Sequence, residues 1–203
     1  YNLDGLTTLG AETAVKAFDA WAAVSGLEFE EVAKAQAQMV FDDNQQGAFA
    51  NSTVSGGFII SSNVNVHTSW ASNGDYYYQT YMHEIGHALG LGHAGNYDGS
   101  ADYQTDSNGG GDNHYLNDSW QMTLMSYFSQ FENSSVDASY AYTATPMIAD
   151  ILAIQELYGV AGDIRDGNTT YGVGSNAGGY YDSLDAFNMT FTILDDGGVD
   201  TIN

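Results

Sequence analysis

Three of the five histidines of this chain fall within one short stretch, beside an acid, at spacings that suit a metal ion. His83 and His87 are four residues apart, so on a helix they project from one face, with Glu84 beside them. Gly90 is the residue type that lets a helix stop and the chain reverse through positive φ. We therefore expect His93 to return to the first two histidines as a third ligand.

Three neutral imidazoles leave one position of a tetrahedral zinc ion open, which is the arrangement of a catalytic site. Zinc lowers the pKa of a bound water, and a neighbouring carboxylate can take the proton as that water attacks a carbonyl. Glu84 is the candidate for this general base. The alternative is a surface helix with ordinary histidines, but the agreement of five fixed positions favours the metal site. His67 and His114 have no partner at ligand spacing, so we expect them to be structural or solvated.

The run from His83 to His93 fits the pattern H-E-x-x-H-x-x-G-x-x-H and resembles the signature of the metzincins. Continued through Ala94-Gly95-Asn96-Tyr97, it is similar to the serralysin branch of secreted bacterial zinc proteases. The resemblance implies an α+β fold: a twisted, mainly parallel sheet with an antiparallel edge strand, packed helices and the zinc helix at the floor of a cleft. It also implies hydrolysis of peptide bonds in proteins.

A second segment, Thr123 to Tyr127, supports the same branch. In metzincins a methionine turn lies beneath the histidines, and in the serralysin and astacin branches a tyrosine two residues further on approaches the metal. Met125 and Tyr127 match that pattern, so by resemblance Met125 supports the site. Tyr127 would be a zinc ligand at rest that swings to hydrogen-bond the oxyanion. Taken alone, the segment would be an apolar strand with a core methionine.

Periodicity predicts the elements that position these residues. Apolar residues recur at helical spacing from Ala11 until Gly26, which predicts an amphipathic helix packed on the sheet. Strands are predicted at 27–30, 37–41, 47–51 and 56–60. By resemblance, 48–50 is the edge strand that holds the substrate main chain by strand addition.

Two further helices are predicted around the site. Asn73-Gly74-Asp75 opens the zinc helix, and Thr145-Pro146 opens the last helix, which runs to Tyr158-Gly159. Asp150 suits either a hydrogen-bond acceptor behind the site or an acid favoured by the helix dipole in the first turn.

The stretches 165–169 and 195–202 resemble the start of the calcium-binding β-roll that follows the protease domain in this family. By that resemblance, main-chain oxygens and carboxylates share one calcium ion, and the residues concerned are Arg165, Gly167, Thr169, Gly197, Asp195 and Asp200. The acids of the loop 106–112 are interpreted as a solvated surface in preference to a calcium site. We expect a protease domain at 1–160, divided near residue 93, and a C-terminal extension at 161–203.

Charge and composition exclude several classes of protein. The chain has 3 Lys+Arg against 26 Asp+Glu, and its net charge of −23 repels nucleic acids and anionic membranes. It has no cysteine, which excludes a disulfide scaffold and a thiol nucleophile. Its 203 residues are 43% hydrophobic, which suits one or two domains with a core. The chain starts at Tyr1 without a basic and apolar leader, so we expect a mature end.

Together these features predict a secreted, extracellular and monomeric zinc endopeptidase that acts on protein or peptide substrates and also binds calcium. A calcium-dependent secreted binding module, or a processed remnant of a larger protein with a β-roll, is the alternative. The C-terminal Gly/Asp stretch favours that alternative, but it leaves the zinc constellation without a purpose. A zinc-loaded pseudo-enzyme or inhibitor-bound fragment ranks last, since the site residues show no sign of inactivation.

Overall fold

The computed structural model describes residues 1–105, 111–160, 162–186 and 189–203, and for 183–186 the backbone alone. The acidic loop predicted at 106–112 therefore lies mostly outside the described residues. The helices in chain order are α1 Thr8–Ala22, α2 Asp75–Ala88 and α3 Ile148–Tyr158, with 3₁₀ helices at Thr68–Asn73 and Gly179–Ala186. The strands are β1 Asn2–Gly5, β2 Met39–Asp42, β3 Ala48–Ser55, β4 Phe58–Val66, β5 Tyr142–Thr143, β6 Thr170–Tyr171, β7 Met189–Thr190 and β8 Thr201–Ile202.

The main sheet has four strands in the order β1-β2-β4-β3. β1, β2 and β4 are parallel, and β3 is antiparallel to β4, so β3 forms one edge. With α1 and α2 packed against the sheet, this is the α+β fold with a mixed, mainly parallel sheet that the sequence predicted. The edge position of β3 also agrees with the prediction.

α1 begins earlier than the apolar pattern indicated because Thr7 caps it: its Oγ1 accepts a hydrogen bond from the Gly10 N–H at 3.3 Å. Its inner face buries Ala14, Phe18 and Trp21 completely or almost so, whereas Val15 points outward. The Trp21 indole N–H donates to the Met82 carbonyl at 3.0 Å. This bond fixes α1 against α2, the helix that carries the first two histidines.

Two local predictions for the strands were wrong. The segment 27–30 is not a strand: the Glu30 carbonyl accepts a hydrogen bond from the Tyr1 amino group at 2.7 Å, and Phe29 packs on Phe18 with ring centroids 4.7 Å apart. The predicted break between 51 and 56 is also absent, because β3 continues to Ser55 and the hairpin turns at Gly56 and Gly57, both with positive φ. β3 stays paired with β4 through this region, and the hydroxyl groups of Ser52 and Ser62 also hydrogen-bond to each other at 2.7 Å.

The chain after α3 packs back on the core. β5 pairs in parallel with β7, and β6 pairs in parallel with β8. The ring of Tyr180 stacks on that of Tyr78 of α2 at 4.0 Å. In the part of the chain that is described, no helix has both the length and the apolar character that a membrane span needs.

Candidate metal centre and active site

The structure brings His83, His87 and His93 together, with one ring nitrogen from each lying within 4.8 Å of the others. α2 places the first two one turn apart, and the Nε2 atoms of His83 and His87 lie 3.3 Å and 3.0 Å from Nε2 of His93. Among the described residues this is the one group of three or more His or acidic side chains close enough to share an ion. His67 and His114 do not belong to this group.

Hydrogen bonds at the other ring nitrogen determine which tautomer each histidine adopts. Each Nδ1 lies 2.8 to 2.9 Å from a main-chain carbonyl, and these carbonyls belong to Leu124, Leu91 and Tyr97 for His83, His87 and His93 respectively. Since a carbonyl only accepts, each Nδ1 must carry the proton and each Nε2 a lone pair. The short Nε2···Nε2 contacts therefore cannot be hydrogen bonds.

Three lone pairs that face one another at this distance repel unless a cation lies between them. In a tetrahedral zinc site with Zn–N bonds of about 2.0–2.1 Å, ligand nitrogens lie roughly 3.3 Å apart. The observed separations of 3.0 and 3.3 Å fit that requirement. The donor set, three imidazoles and no thiolate, also suits zinc.

Burial keeps two of these imidazoles neutral. Desolvation by burial is the main cause that lowers the pKa of His83 to about 3, and the nearby His87 is the next largest cause. Desolvation also lowers the pKa of His87. A neutral imidazole is the form that binds a metal ion, so His83 and His87 do not have to lose protons at neutral pH.

The turn that returns His93 depends on Gly90, as the sequence predicted. Gly90 has φ +104, and α2 ends just before it with the Leu91 N–H bonded to the Gly86 carbonyl at 2.9 Å. A residue with a Cβ is strained at this φ, whatever the surrounding space.

Glu84 lies beside the histidines in a buried position, 6% exposed. Its Oε2 is a buried oxygen with no hydrogen-bond partner. Desolvation, with a smaller contribution from Asp98, raises the pKa of Glu84 to about 8. A buried, unpartnered carboxylate oxygen next to a metal centre is suited to hold a proton during a reaction.

Met125 packs directly under α2. A Cβ built on Gly86 would lie 2.7 Å from the Met125 Sδ and 3.1 Å from the Trp21 ring, so a side chain at position 86 would push the helix off its support. The structure thus places Met125 beneath the turn of helix that separates the two histidines.

Asp150 holds the segment before Met125 in place. Its carboxylate accepts hydrogen bonds from the Thr123 hydroxyl, and from the main-chain N–H groups of Leu124 and Met147 at 2.8 Å each. Leu124 in turn supplies the carbonyl that orients His83. The predicted start of α3 at Thr145-Pro146 was early by a few residues, because the Asp150 bond to Met147 sets the first turn. Asp150 thus lies in the first turn of α3 and accepts hydrogen bonds from the segment behind the site.

Tyr127 lies over the histidines, with its ring centroid 4.4 Å from that of His93 and 6.2 Å from that of His83. Its hydroxyl accepts a hydrogen bond from the Gly99 N–H at 3.4 Å. Burial raises the pKa of Tyr127, so the phenol keeps its proton and can donate it in a hydrogen bond.

Sequence reasoning missed a group of residues behind His93. The Tyr97 carbonyl accepts from His93, and the Tyr97 hydroxyl donates to the buried carboxylate of Asp118, 3.1 Å away. The same hydroxyl accepts from the Tyr127 N–H at 3.4 Å, so one side chain links His93 to Tyr127. Asp98, which faces Glu84 across the cleft, was also not recognised.

In the C-terminal part, two hydrogen bonds connect, in two pairs, four of the six residues for which a calcium role is predicted. Asp200 accepts from the Thr169 N–H at 2.9 Å, and Asp195 accepts from the Gly197 N–H at 3.0 Å. The parallel pairing of β6 with β8 brings the segment 165–169 alongside 195–201. Arg165 has a positive φ of 54°, which bends its carbonyl out of an extended path.

Comparison with known proteins gives the family. The model described as metallo-peptidase family M12 matches residues 22–139, a range that includes the three histidines, Met125 and Tyr127. The chain is 40% identical over 134 residues to Serralysin C of Dickeya chrysanthemi, an alignment that covers 64% of this chain and 26% of that protein. It is 33% identical over 223 residues to Metallopeptidase AprA of Pseudomonas marginalis, covering 100% of this chain and 46% of that protein.

A third relative, Serralysin of Proteus mirabilis, is 32% identical over 225 residues, which cover 96% of this chain and 44% of that protein. The chain spans less than half of the length of these relatives. The match to the family model extends over more than half of the chain, and the similarity to serralysins extends along its length, so the chain belongs to metallo-peptidase family M12.

Proposed function

We propose that this protein is a zinc-dependent endopeptidase that hydrolyses peptide bonds in proteins. The observation that carries the proposal is the convergence of three Nε2 lone pairs, from His83, His87 and His93, while each Nδ1 proton is held by a carbonyl. That arrangement would hold a cation, and His87, His93 and Glu84 line the cavity in which a substrate would bind.

His83, His87 and His93 would hold the zinc ion through Nε2. When bound, zinc supplies a Lewis acid that polarises the scissile carbonyl and makes a water molecule acidic enough to lose a proton near neutral pH. Asp150 and Met125 contribute by fixing the carbonyl of Leu124 and the floor under α2. The ligands are therefore in position before the substrate arrives.

Glu84 would act as the general base. Its Oε2 has no protein partner, so it is available to accept the proton of the attacking water and later to give it to the leaving nitrogen. Burial raises the pKa of Glu84 above its ordinary range, which favours the protonated form that the carboxyl group takes on between the two transfers.

Tyr127 would stabilise the developing negative charge on the substrate oxygen. Its hydroxyl is held by Gly99 rather than by a carboxylate, so the phenol proton remains free to be donated. A hydrogen-bond donor that interacts with this oxygen more strongly in the transition state than in the bound substrate lowers the activation barrier.

The substrate main chain would bind along β3. This strand is the sheet edge, and residues Ala48 to Ser52 line the cavity that also contains Glu84 and His87. An extended peptide added to this edge would hydrogen-bond through its main chain and pass the metal centre.

Other parts of the proposal concern the whole protein. We assign 1–160 as the protease domain, divided near residue 93, and 161–203 as an extension that binds calcium through Arg165, Gly167, Thr169, Asp195, Gly197 and Asp200. The protein would be secreted and monomeric.

Replacement of Glu84 tests the mechanism. Glu84→Ala should lower casein hydrolysis by at least about 10³-fold, because the base is gone, while one zinc per chain remains bound. Casein turnover and metal content by mass spectrometry measure the two effects. Glu156→Ala, on the exposed face of α3, is the matched control and should keep full activity.

A chelation experiment separates this function from that of a calcium-dependent binding module. A protease of this kind loses casein hydrolysis with phenanthroline and regains it with zinc. If the purified protein never digests casein in the presence of zinc, or if Glu84→Ala cleaves appreciably, the proposal is wrong.

A further inference from the structure

A second cavity opens next to the metal centre, on the side of His83. It measures about 570 Å³, and His83 and Tyr127 line its inner end. The start of β3, at Ala48, borders both this cavity and the neighbouring one that contains Glu84. A side chain of a bound substrate can therefore enter it beside the scissile bond.

The direction of a bound strand indicates which substrate residue enters. β3 is an edge strand whose residues Ala48 to Ser52 follow the cleft. Antiparallel pairing is the stronger mode, and a strand paired in that way runs from Ser52 towards Ala48. The residue that follows the scissile bond then lies at the Ala48 end, over the cavity beside His83.

The walls of this cavity are aromatic. The rings of Trp70 and Tyr76 stack with centroids 5.7 Å apart, and Tyr76 lies 6.0 Å from Trp120. Packed rings of this kind offer apolar contact to methylene groups, and their faces attract a cation.

One carboxylate lines the same cavity. Glu132 is held in place by the N–H and the hydroxyl of Ser129, which both donate to its Oε2 at 2.8 and 2.6 Å. Among the hydrogen bonds described, none uses Oε1 of Glu132. The carboxylate is thus positioned by the protein, with one oxygen available to a donor from a ligand.

No lysine or arginine among the described residues competes with such a donor for Glu132. The described residues that line the cavity include neither lysine nor arginine. Lys16 and Arg165 line a different cavity, between α1 and the C-terminal part, and Lys34 lies in an exposed turn. With a net charge of −23, the molecule also attracts cationic peptides at long range.

We propose that this cavity, lined by Trp70, Tyr76, Trp120 and Glu132, selects substrates with a lysine or arginine immediately after the scissile bond. The inference rests on the proposed peptidase function and adds its substrate class. The long methylene chain of the substrate residue packs against the rings, and its charged end meets Oε1 of Glu132. Glutamate at the same position is disfavoured by Glu132.

Matched peptides test this selectivity. Three internally quenched peptides would differ only after the scissile bond, with lysine, norleucine or glutamate there, and mass spectrometry would locate the cut. Norleucine keeps the methylene chain of lysine but lacks the charge. For the zinc-loaded wild type we expect kcat/KM for the lysine peptide to exceed that for norleucine by about tenfold.

Variants assign the preference to this cavity. Glu132→Gln keeps an oxygen that can accept from Ser129, and it should reduce the lysine preference to about threefold while leaving norleucine cleavage unchanged. Glu156→Gln removes the same charge from the exposed face of α3 and should leave the preference intact.

Two results would overturn the inference: equal kcat/KM for lysine and norleucine in the wild type, or an undiminished preference in Glu132→Gln. Neither result touches the peptidase function, because peptides are still cut. Absence of cleavage of all three peptides and of casein would instead refute the proposed function itself.

Discussion

At the scale of single residues, the site is organised by what each histidine does with its second nitrogen. Leu124, Leu91 and Tyr97 supply carbonyls that hold the three Nδ1 protons, so the three Nε2 lone pairs have one possible direction. The three carbonyl groups come from three separate positions along the chain, outside α2. The metal ligands are therefore oriented by main-chain atoms, which no single side-chain substitution removes.

The role of Tyr127 gives a prediction at the same scale. Tyr127→Phe removes the hydroxyl but keeps the ring that packs on His93, so we expect kcat to fall by about 10- to 100-fold with little change in KM. Steady-state kinetics on a quenched peptide measure both constants. The zinc content should not change.

Tyr115→Phe is the matched control, because Tyr115 is an exposed tyrosine at 58% accessibility. If Tyr127→Phe kept wild-type kcat, the assignment of oxyanion stabilisation to Tyr127 would be wrong.

At the scale of elements, Asp150 of α3 ties the segment that carries Met125 to the core. It is fully buried, and desolvation raises its pKa to about 6 against the opposition of donors from Thr123, Leu124 and Met147. The three hydrogen bonds that Asp150 accepts fix the geometry of this turn. Burial nevertheless makes the ionisation of its carboxyl group unfavourable.

Stability should therefore depend on pH through Asp150. The folded protein binds this proton more tightly than the unfolded chain, so the contribution is favourable below pH 3.8 and is lost as pH rises through about 6. The difference in free energy of unfolding between wild type and Asp150→Asn should shift against the wild type by about 2.4 kcal/mol between pH 4 and pH 8. Urea unfolding at several pH values measures it.

Asp137→Asn, in an exposed loop, is the control and should show no such change against the wild type. A constant difference between wild type and Asp150→Asn across this pH range would contradict the account.

The elements also show what sequence reasoning can reach. The spacing of His83 and His87 is a local property of a helix, and Gly90 marks its end, so the metal centre could be predicted without the fold. The segment 27–30 alternates like a strand but has no ladder partner, and alternation alone does not reveal that. Tyr97 and Asp118 meet only after the chain folds back, so no local pattern indicates their contact.

At the scale of the whole molecule, the folded chain carries a large excess of acidic side chains over basic ones. The net charge of −23 causes self-repulsion in the folded state, and cations reduce it. The pairing of β6 with β8 places Asp195 and Asp200 beside the segment 165–169. A bound calcium ion there would stabilise the C-terminal part as well as lower the charge.

Calcium should therefore raise the melting temperature beyond the effect of charge screening. At a calcium concentration of 100 times Kd, binding contributes about 2.7 kcal/mol, which corresponds to a rise of roughly 5 to 10 °C for a chain of this size. Magnesium at the same ionic strength reports screening alone and should give a smaller rise. Scanning fluorimetry compares the two ions.

The double variant Asp195→Asn, Asp200→Asn should abolish the difference between calcium and magnesium. If both ions stabilise the wild type equally, the calcium site is not present in this chain.

The central claim is that the three imidazoles bind one cation through Nε2. X-ray absorption at the zinc edge of the zinc-loaded protein tests it directly, because scattering from imidazole rings can be counted. The account predicts one zinc per chain with three imidazole nitrogens at about 2.0–2.1 Å. A zinc ion surrounded by fewer than three imidazoles would contradict it.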